Sequence, residues 1–262
     1  WWIPAPGTDA TPSDRCVVLL HGYADAKVGS IAWAPAWHKL GFNVFAPDLR
    51  AHGESDGRES TAGYYERHDV DQVISRLRVE RPASTRQVFL FGASLGAAVA
   101  VATAALRDDL AGVVLESPYT DFRAAARTHM DLLGLPGGTF QNAALRLAEW
   151  LAYAKFDEVR TVDLLLGVRC PVLVIAPARD VFLGDTGMNA FAAILAARPP
   201  GLGLAEIWQV EEAPHLLAVH QDADAYTARL GSFIARALAK SPKPAEKNGP
   251  GAGKGQIALQ RE

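Results

Sequence analysis

The pentapeptide Gly92-Ala93-Ser94-Leu95-Gly96 places a serine between two glycines, where the apolar run 87–91 gives way to an Ala-rich stretch. Strand, tight turn and helix in that order form a nucleophile elbow, which lifts a serine hydroxyl clear of the backbone. The turn is strained, so the positions two before and two after the serine must lack bulk, as Gly92 and Gly96 do. Alone the pattern is weak, the plain alternative being a Gly-rich helix cap; its flanks give it weight. A serine hydroxyl is a poor nucleophile at neutral pH and needs a base titrating near 7, for which histidine is suited. His215 follows the last apolar run and precedes the last helical stretch, with His220 as the second choice. The base in turn needs a carboxylate to fix its tautomer and support the imidazolium. Asp180 lies just past the run 172–176, where ligands and catalytic groups gather in open α/β sheets. The plain alternative is a surface turn aspartate, and Asp185, Glu116 and Asp121 compete for the role. Glu116 is a feasible position because it ends a strand.

A second feature is His21-Gly22-Tyr23, directly after the run 17–20. A loop there can aim the Tyr23 amide at the point faced by the Leu95 amide. Two such donors would stabilise a tetrahedral oxyanion, each by about 3–4 kcal/mol of barrier. His21 precedes the serine by 73 residues on a different strand end and is read as packing its loop.

These residues need a scaffold. The chain has 262 residues, 49% hydrophobic and 21% charged, enough for a sizeable core and unlike a disordered chain. Net charge is −3 with no Lys/Arg-rich block in the folded part, which disfavours a nucleic-acid partner. Two cysteines exclude a disulfide framework and Cys-based zinc patterns. No Walker A or G-x-G-x-x-G occurs, so nucleotide binding has no support. The stretch 88–106 carries no charge for 19 residues, but Gly92 and Gly96 interrupt it, so no membrane segment is expected.

Continuous apolar runs at 17–20, 42–46, 88–91, 113–115, 172–176 and 205–210 read as strands buried on both faces. Helical stretches at 31–40, 63–78, 95–106, 187–197 and 223–238 alternate with them. That alternation is an α/β, doubly wound domain spanning 1–240. The 48 residues 120–167 exceed a plain connection and contain helix-like pieces around 121–132 and 140–155, an insertion expected to cap the active face. Residues 241–262, rich in Pro, Gly and Lys, read as a disordered tail.

Leu19-Leu20-His21-Gly22-Tyr23, the segment 48–55 (Asp-Leu-Arg-Ala-His-Gly-Glu-Ser), the elbow at Ser94, Glu116-Ser117-Pro118-Tyr119, Asp180 and His215 together span residues 16–217. In this the chain resembles the serine α/β-hydrolase superfamily, in its esterase/lipase and serine-aminopeptidase-like branch. The order Ser94, Asp180, His215 is the order of that fold. The resemblance implies a mainly parallel sheet of about eight strands flanked by helices, with a small cap after the sixth. It also implies that the chain begins at the second strand, leaving an edge exposed by a missing first strand. The histidine loop reads Ala-Pro-His where relatives often have Gly before His. Ala97-Ala98 replaces a further glycine harmlessly.

Within the resemblance, 48–55 is a structural loop rather than a metal site, and no His pair at i, i+4 spacing suggests a metal. Glu66, His68 and Asp69 read as a solvated acidic first turn, and His129 as a surface residue of the cap. Cys16 and Cys170 start strands that the implied topology separates by two others, about 14 Å at a spacing of about 4.8 Å, too far for a disulfide.

The expectation is a serine hydrolase without metal or cofactor, acting on a small-molecule acyl substrate. Ser94 attacks, His215 relays the proton, Asp180 orients it, and Tyr23 and Leu95 hold the oxyanion. Serine at the elbow argues against dehalogenase or epoxide-hydrolase chemistry, which places Asp there. The short insertion with mixed Leu132, Leu133, Leu135, Phe140, Trp150 and Tyr153 favours a carboxylic ester of short to medium acyl length. A peptidase or amidase, a thioesterase and an acyl transferase share the triad. From another class, a catalytically inactive binding protein on the same fold is the rival. A cytoplasmic location is expected; the first residue is Trp rather than Met, which leaves room for an upstream signal or anchor. Oligomeric state is not specified.

Overall fold

The apolar runs form the strands of a single sheet, and side-chain alternation sorts each strand between two cores. In the computed structural model, which describes residues 1–7, 13–199 and 201–240, these strands are β2 (Arg15–Leu20), β3 (Asn43–Phe45), β4 (Gln87–Ala93), β5 (Gly112–Glu116), β6 (Val172–Arg179) and β7 (Ala205–Pro214). A seventh, β1 (Trp2–Ile3), has only two residues, too few to carry a period-2 signal. The order is β1-β3-β2-β4-β5-β6-β7, parallel throughout except β1, which pairs antiparallel with β3. Among the described residues the sheet has seven strands, against the about eight of the resemblance. Its edge is a very short strand, one of the ways natural sheets discourage further pairing.

Val18, Leu20, Val88, Leu90, Val113, Leu115, Val172 and Val174 face one core, and Val17, Leu19, Phe89, Phe91, Val114, Leu173 and Ile175 the other. The first core is covered by α2 (Glu66–Glu80), α3 (Leu95–Ala104), α6 (Thr161–Leu165) and α7 (Gly184–Ala197). The second is covered by α1 (Ala34–Lys39), α8 (Ala218–Gln221) and α9 (Ala223–Lys240), with Trp37, Tyr226 and Phe233 fully buried. Ten consecutive residues of α3 are buried, which explains its Ala-rich, uncharged composition: it lies under other helices as well as on the sheet. Cys16 and Cys170 are both free, with β4 and β5 between their strands.

The register matters for function. Leu20 pairs with Gly92, Gly92 with Leu115, and Leu115 with Val174. The parallel strands therefore end in nearly one row, and the loops after β2, β4, β5 and β6 leave from the same edge.

Between β5 and β6, α4 (Phe122–Leu132) and α5 (Thr139–Ala152) precede α6. Phe156, Val159, Val162 and Leu165 return to the core, so the last third of 120–167 belongs to the body. Leu132, Leu133, Phe140, Leu147, Trp150 and Leu151 of the α4–α5 hairpin are exposed. The proposed tail 241–262 lies outside the described residues.

Candidate active site

β4 ends at Ala93 and α3 begins at Leu95, so Ser94 alone makes the turn. Its φ of 52° and ψ of −111° are strained for a residue with a side chain, a conformation that costs about 1–3 kcal/mol and persists only where its surroundings enforce it. They do. A Cβ at Gly92 would fall on the carbonyl of Gly96, and one at Gly96 on the carbonyls of Leu20 and His21. All of these are backbone atoms that cannot swing aside. Gly96→Ala is therefore expected to destabilise the fold by about 3 kcal/mol, read as a lower urea midpoint at unchanged slope. A midpoint equal to that of the native chain would show that the elbow tolerates the methyl.

His215 follows β7, and Asp180 follows β6. His215 Nδ1 lies 2.7 Å from Asp180 Oδ2, and His215 Nε2 lies 3.1 Å from Ser94 Oγ. A carboxylate only accepts, so Nδ1 carries the proton and Nε2 is left to accept from the serine. Asp180 is 3% exposed, and its Oδ1 accepts from the amides of Phe182 at 2.9 Å and Leu183 at 3.4 Å. The Phe182 ring packs on His215 with centroids 4.8 Å apart. The histidine loop meets its geometry without the family's glycine: positive φ falls on Glu212 and Leu216, and Pro214 stays in β7.

Leu95 occupies the first position of α3, where an amide has no intrahelical acceptor. Tyr23 sits in the loop after β2, next to Gly22, which lies beside Ser94. A methyl built on Gly22 would stand 3.6 Å from the Ala93 carbonyl oxygen and 3.8 Å from Ser94 Cβ. That loop is stitched to residues 48–55. His21 is fully buried; its Nδ1 donates to the Gly22 carbonyl at 2.8 Å, and its Nε2 accepts from the Leu49 amide at 3.0 Å. His52 Nε2 accepts from the Ala24 amide at 3.3 Å. Asp48 accepts from the Lys27 amide at 2.6 Å and the Lys27 ammonium at 2.5 Å. Burial opposes ionisation of Asp48, but the Glu54 amide and both Lys27 donors outweigh it and hold the carboxyl down at about 2. These side chains are engaged in loop construction. Among the described residues no group of three His, Cys, Asp or Glu is arranged to hold a metal.

The competing residues lie elsewhere. Asp185 is exposed in the first turn of α7, His220 is exposed on α8, and Asp121 caps α4 by accepting from the Ala124 amide at 2.8 Å. Glu116 is fully buried below the site, accepting from Trp33 Nε1 at 2.8 Å and the Tyr226 hydroxyl at 2.6 Å. The reading of Glu66 as solvated is corrected: it is 1% exposed and accepts from Thr61 N, Thr61 Oγ1, Ser60 Oγ and Gly63 N. It caps the loop before its own helix rather than facing water, a role invisible without the loop's path. His68 is exposed, as expected, and Asp69 pairs with Arg50. His129 is exposed too, but it stands at the site's mouth, with ring centroids 6.5 Å from Tyr23 and 6.4 Å from Phe182. Sequence reasoning gave no role to Phe182, which nothing local in the sequence marks, and named Ser117 only within the motif Glu116-Ser117-Pro118-Tyr119.

Fold and sheet order define an α/β-hydrolase of the serine superfamily. The model of the family described as serine aminopeptidase, S33, matches residues 11–159, more than half of the chain, and the chain belongs to that family. The uncharacterized protein Rv2307c of Mycobacterium tuberculosis is 28% identical over 211 residues, 78% of this chain and 66% of that protein. The lysophosphatidylserine lipase ABHD12 of Danio rerio is 25% identical over 177 residues, 64% of this chain and 44% of that protein. The chain thus spans less than two thirds of the length of either relative. Among solved structures, the Pyrococcus furiosus esterase Pf2001 superposes with a TM-score of 0.69 at 24% identity, covering 86% of this chain and 83% of its own. Est1E of Butyrivibrio proteoclasticus, solved with ferulic acid bound, superposes at 0.67 with 16% identity, covering 92% and 95%. Among the described residues no helix is long and apolar enough to cross a membrane.

Proposed function

We propose that the protein is a serine hydrolase that cleaves a carboxylic ester of short to medium acyl length. The observation that carries this is the hydrogen-bonded series Asp180–His215–Ser94 at the edge where the parallel strands end. Ser94 Oγ attacks the acyl carbonyl as its proton passes to His215 Nε2. The carbonyl oxygen becomes an oxyanion, received by the amides of Tyr23 and Leu95. The C–O bond to the alcohol then breaks, and His215 returns its proton to that oxygen. Water, deprotonated by His215, attacks the acyl-Ser94 ester; the acid leaves and Ser94 is restored. Asp180 stays ionised and supports the imidazolium in both halves. None of these steps calls on a metal or cofactor.

The hairpin α4–α5 is proposed as the cap. His129 brings it against Tyr23 and Phe182 on either side of the mouth, which narrows the entry and supports the smaller acyl groups. The test is a series of p-nitrophenyl esters from acetate to palmitate, beside the matching anilide and thioester. We expect kcat/KM to be greatest between butyrate and octanoate, and at least about tenfold lower, 1.4 kcal/mol in barrier, for palmitate and the anilide. An anilide cleaved faster than every ester would make the protein an amidase. Failure to turn over any of them, with the chain folded, would favour the inactive binding protein.

A further inference from the structure

Glu116 closes β5, and Ser117 follows with a φ of 51°. Together they bond to the elbow, to β6 and to the histidine loop. The Glu116 carbonyl accepts from the Ser94 amide at 3.0 Å, and the Ser117 amide donates at 3.0 Å to the carbonyl of Ile175 on β6, the strand that leads to Asp180. Ser117 Oγ accepts at 2.9 Å from the amide of Leu216, the residue after His215, itself held at a φ of 63°.

The Glu116 side chain lies beneath the site. One carboxyl oxygen takes both the Trp33 and Tyr226 donors; the other makes no hydrogen bond among the described residues. A fully buried carboxyl with so few donors is costly for a merely space-filling role. Burial pushes it up to about 7, against the pull of Tyr226, Trp33 and the Ala218 amide, while the charge on Asp180 pushes in the same direction as burial. The groups that act on it are Tyr226 from α9, a phenol that burial raises well above 10 and so keeps neutral, Asp180 after β6, the Ala218 amide of α8 and the uncharged Trp33.

We propose that Glu116 and Ser117 are positioning residues for the reaction: Ser117 locks the histidine loop onto the end of β5, and Glu116 sets the basicity of His215 through Asp180. The proposal rests on the triad assigned above. An ionised Glu116 adds negative charge behind Asp180 and favours the imidazolium that forms during acylation; a protonated one withdraws that support.

The experiment follows the rate of fluorophosphonate labelling by intact mass from about pH 5 to about pH 9, where a histidine of ordinary basicity titrates. It compares the native chain, Glu116→Gln, Ser117→Ala and Tyr226→Phe, with melting curves for each. The native profile is expected to span two coupled ionisations. Glu116→Gln should collapse it to one, with a midpoint about half a unit to one unit lower and a plateau several-fold lower. Ser117→Ala should lower the rate about tenfold at every pH without moving the midpoint, because it misplaces the base without changing its charge. Should Glu116→Gln not fold, Tyr226→Phe serves: losing the phenol donor raises the Glu116 carboxyl further and moves the second ionisation to higher pH. Unchanged profiles in folded Glu116→Gln or Tyr226→Phe, or an unchanged rate in Ser117→Ala, would overturn the proposal. A folded native chain that never labels would instead overturn the triad beneath it.

Discussion

Replacing Ser94 by alanine is expected to lower kcat on the best ester by about 10⁶-fold and to abolish the fluorophosphonate adduct. The size follows from the role: without Oγ there is no acyl-enzyme, and what remains is substrate held against oxyanion donors, which in serine hydrolases retains only about 10³–10⁴ over water. The fold should be unaffected. The positive φ at Ser94 is enforced by Gly92 and Gly96, and alanine strains that turn no more than serine does. Among the described residues its hydroxyl bonds only to His215, at 3.1 Å, so melting temperature should stay within a degree or two. Intact mass after labelling checks this: one adduct on the native chain, none on Ser94→Ala. An adduct that persists would place the nucleophile elsewhere.

Asp180→Asn is expected to cost about 10⁴-fold in kcat at neutral pH with little change in stability. Asp180 serves two sets of donors at once: Oδ1 takes the amides of Phe182 and Leu183, and Oδ2 takes His215 Nδ1. Asparagine has one oxygen for both tasks. With that oxygen on the two amides, its NH2 faces Nδ1 and can only donate. The imidazole must then carry its proton on Nε2, which can no longer accept from Ser94. The structure survives and the base is lost. Ester kinetics with a melting curve check this; a loss smaller than tenfold would mean that another carboxylate supports the base. Glu116 is the acid closest in character, but its side chain is directed to Trp33 and Tyr226 rather than to His215.

Much of the fold was legible because its signals are local. Six strands announced themselves as continuous apolar runs, and α3 as an Ala-rich stretch. The strand Trp2–Ile3 was not legible, since two residues have no period, and its place at the edge is set by pairing with β3. The Ala-Pro-His sequence cast doubt on the histidine loop for want of a glycine; the strain falls instead on Glu212 and Leu216, where a distant hydroxyl, Ser117 Oγ, compensates it. Glu66 misled for the same reason: its partners are the turn residues 60–63, brought round by a loop whose path composition does not encode.

The sequence by itself determined the fold class and the short list of candidates for nucleophile, base and acid, because residue type and position at a strand end carry that chemistry. Only the tertiary structure chose among Asp180, Asp185, Asp121 and Glu116 as the partner of His215. It also put a buried carboxyl and a strained serine beneath the site, and set His129 at its mouth. Those outcomes depend on the register that ends neighbouring strands in one row and on which way each side chain leaves it. Register and direction come from packing residues far apart in the chain, and no local pattern states them.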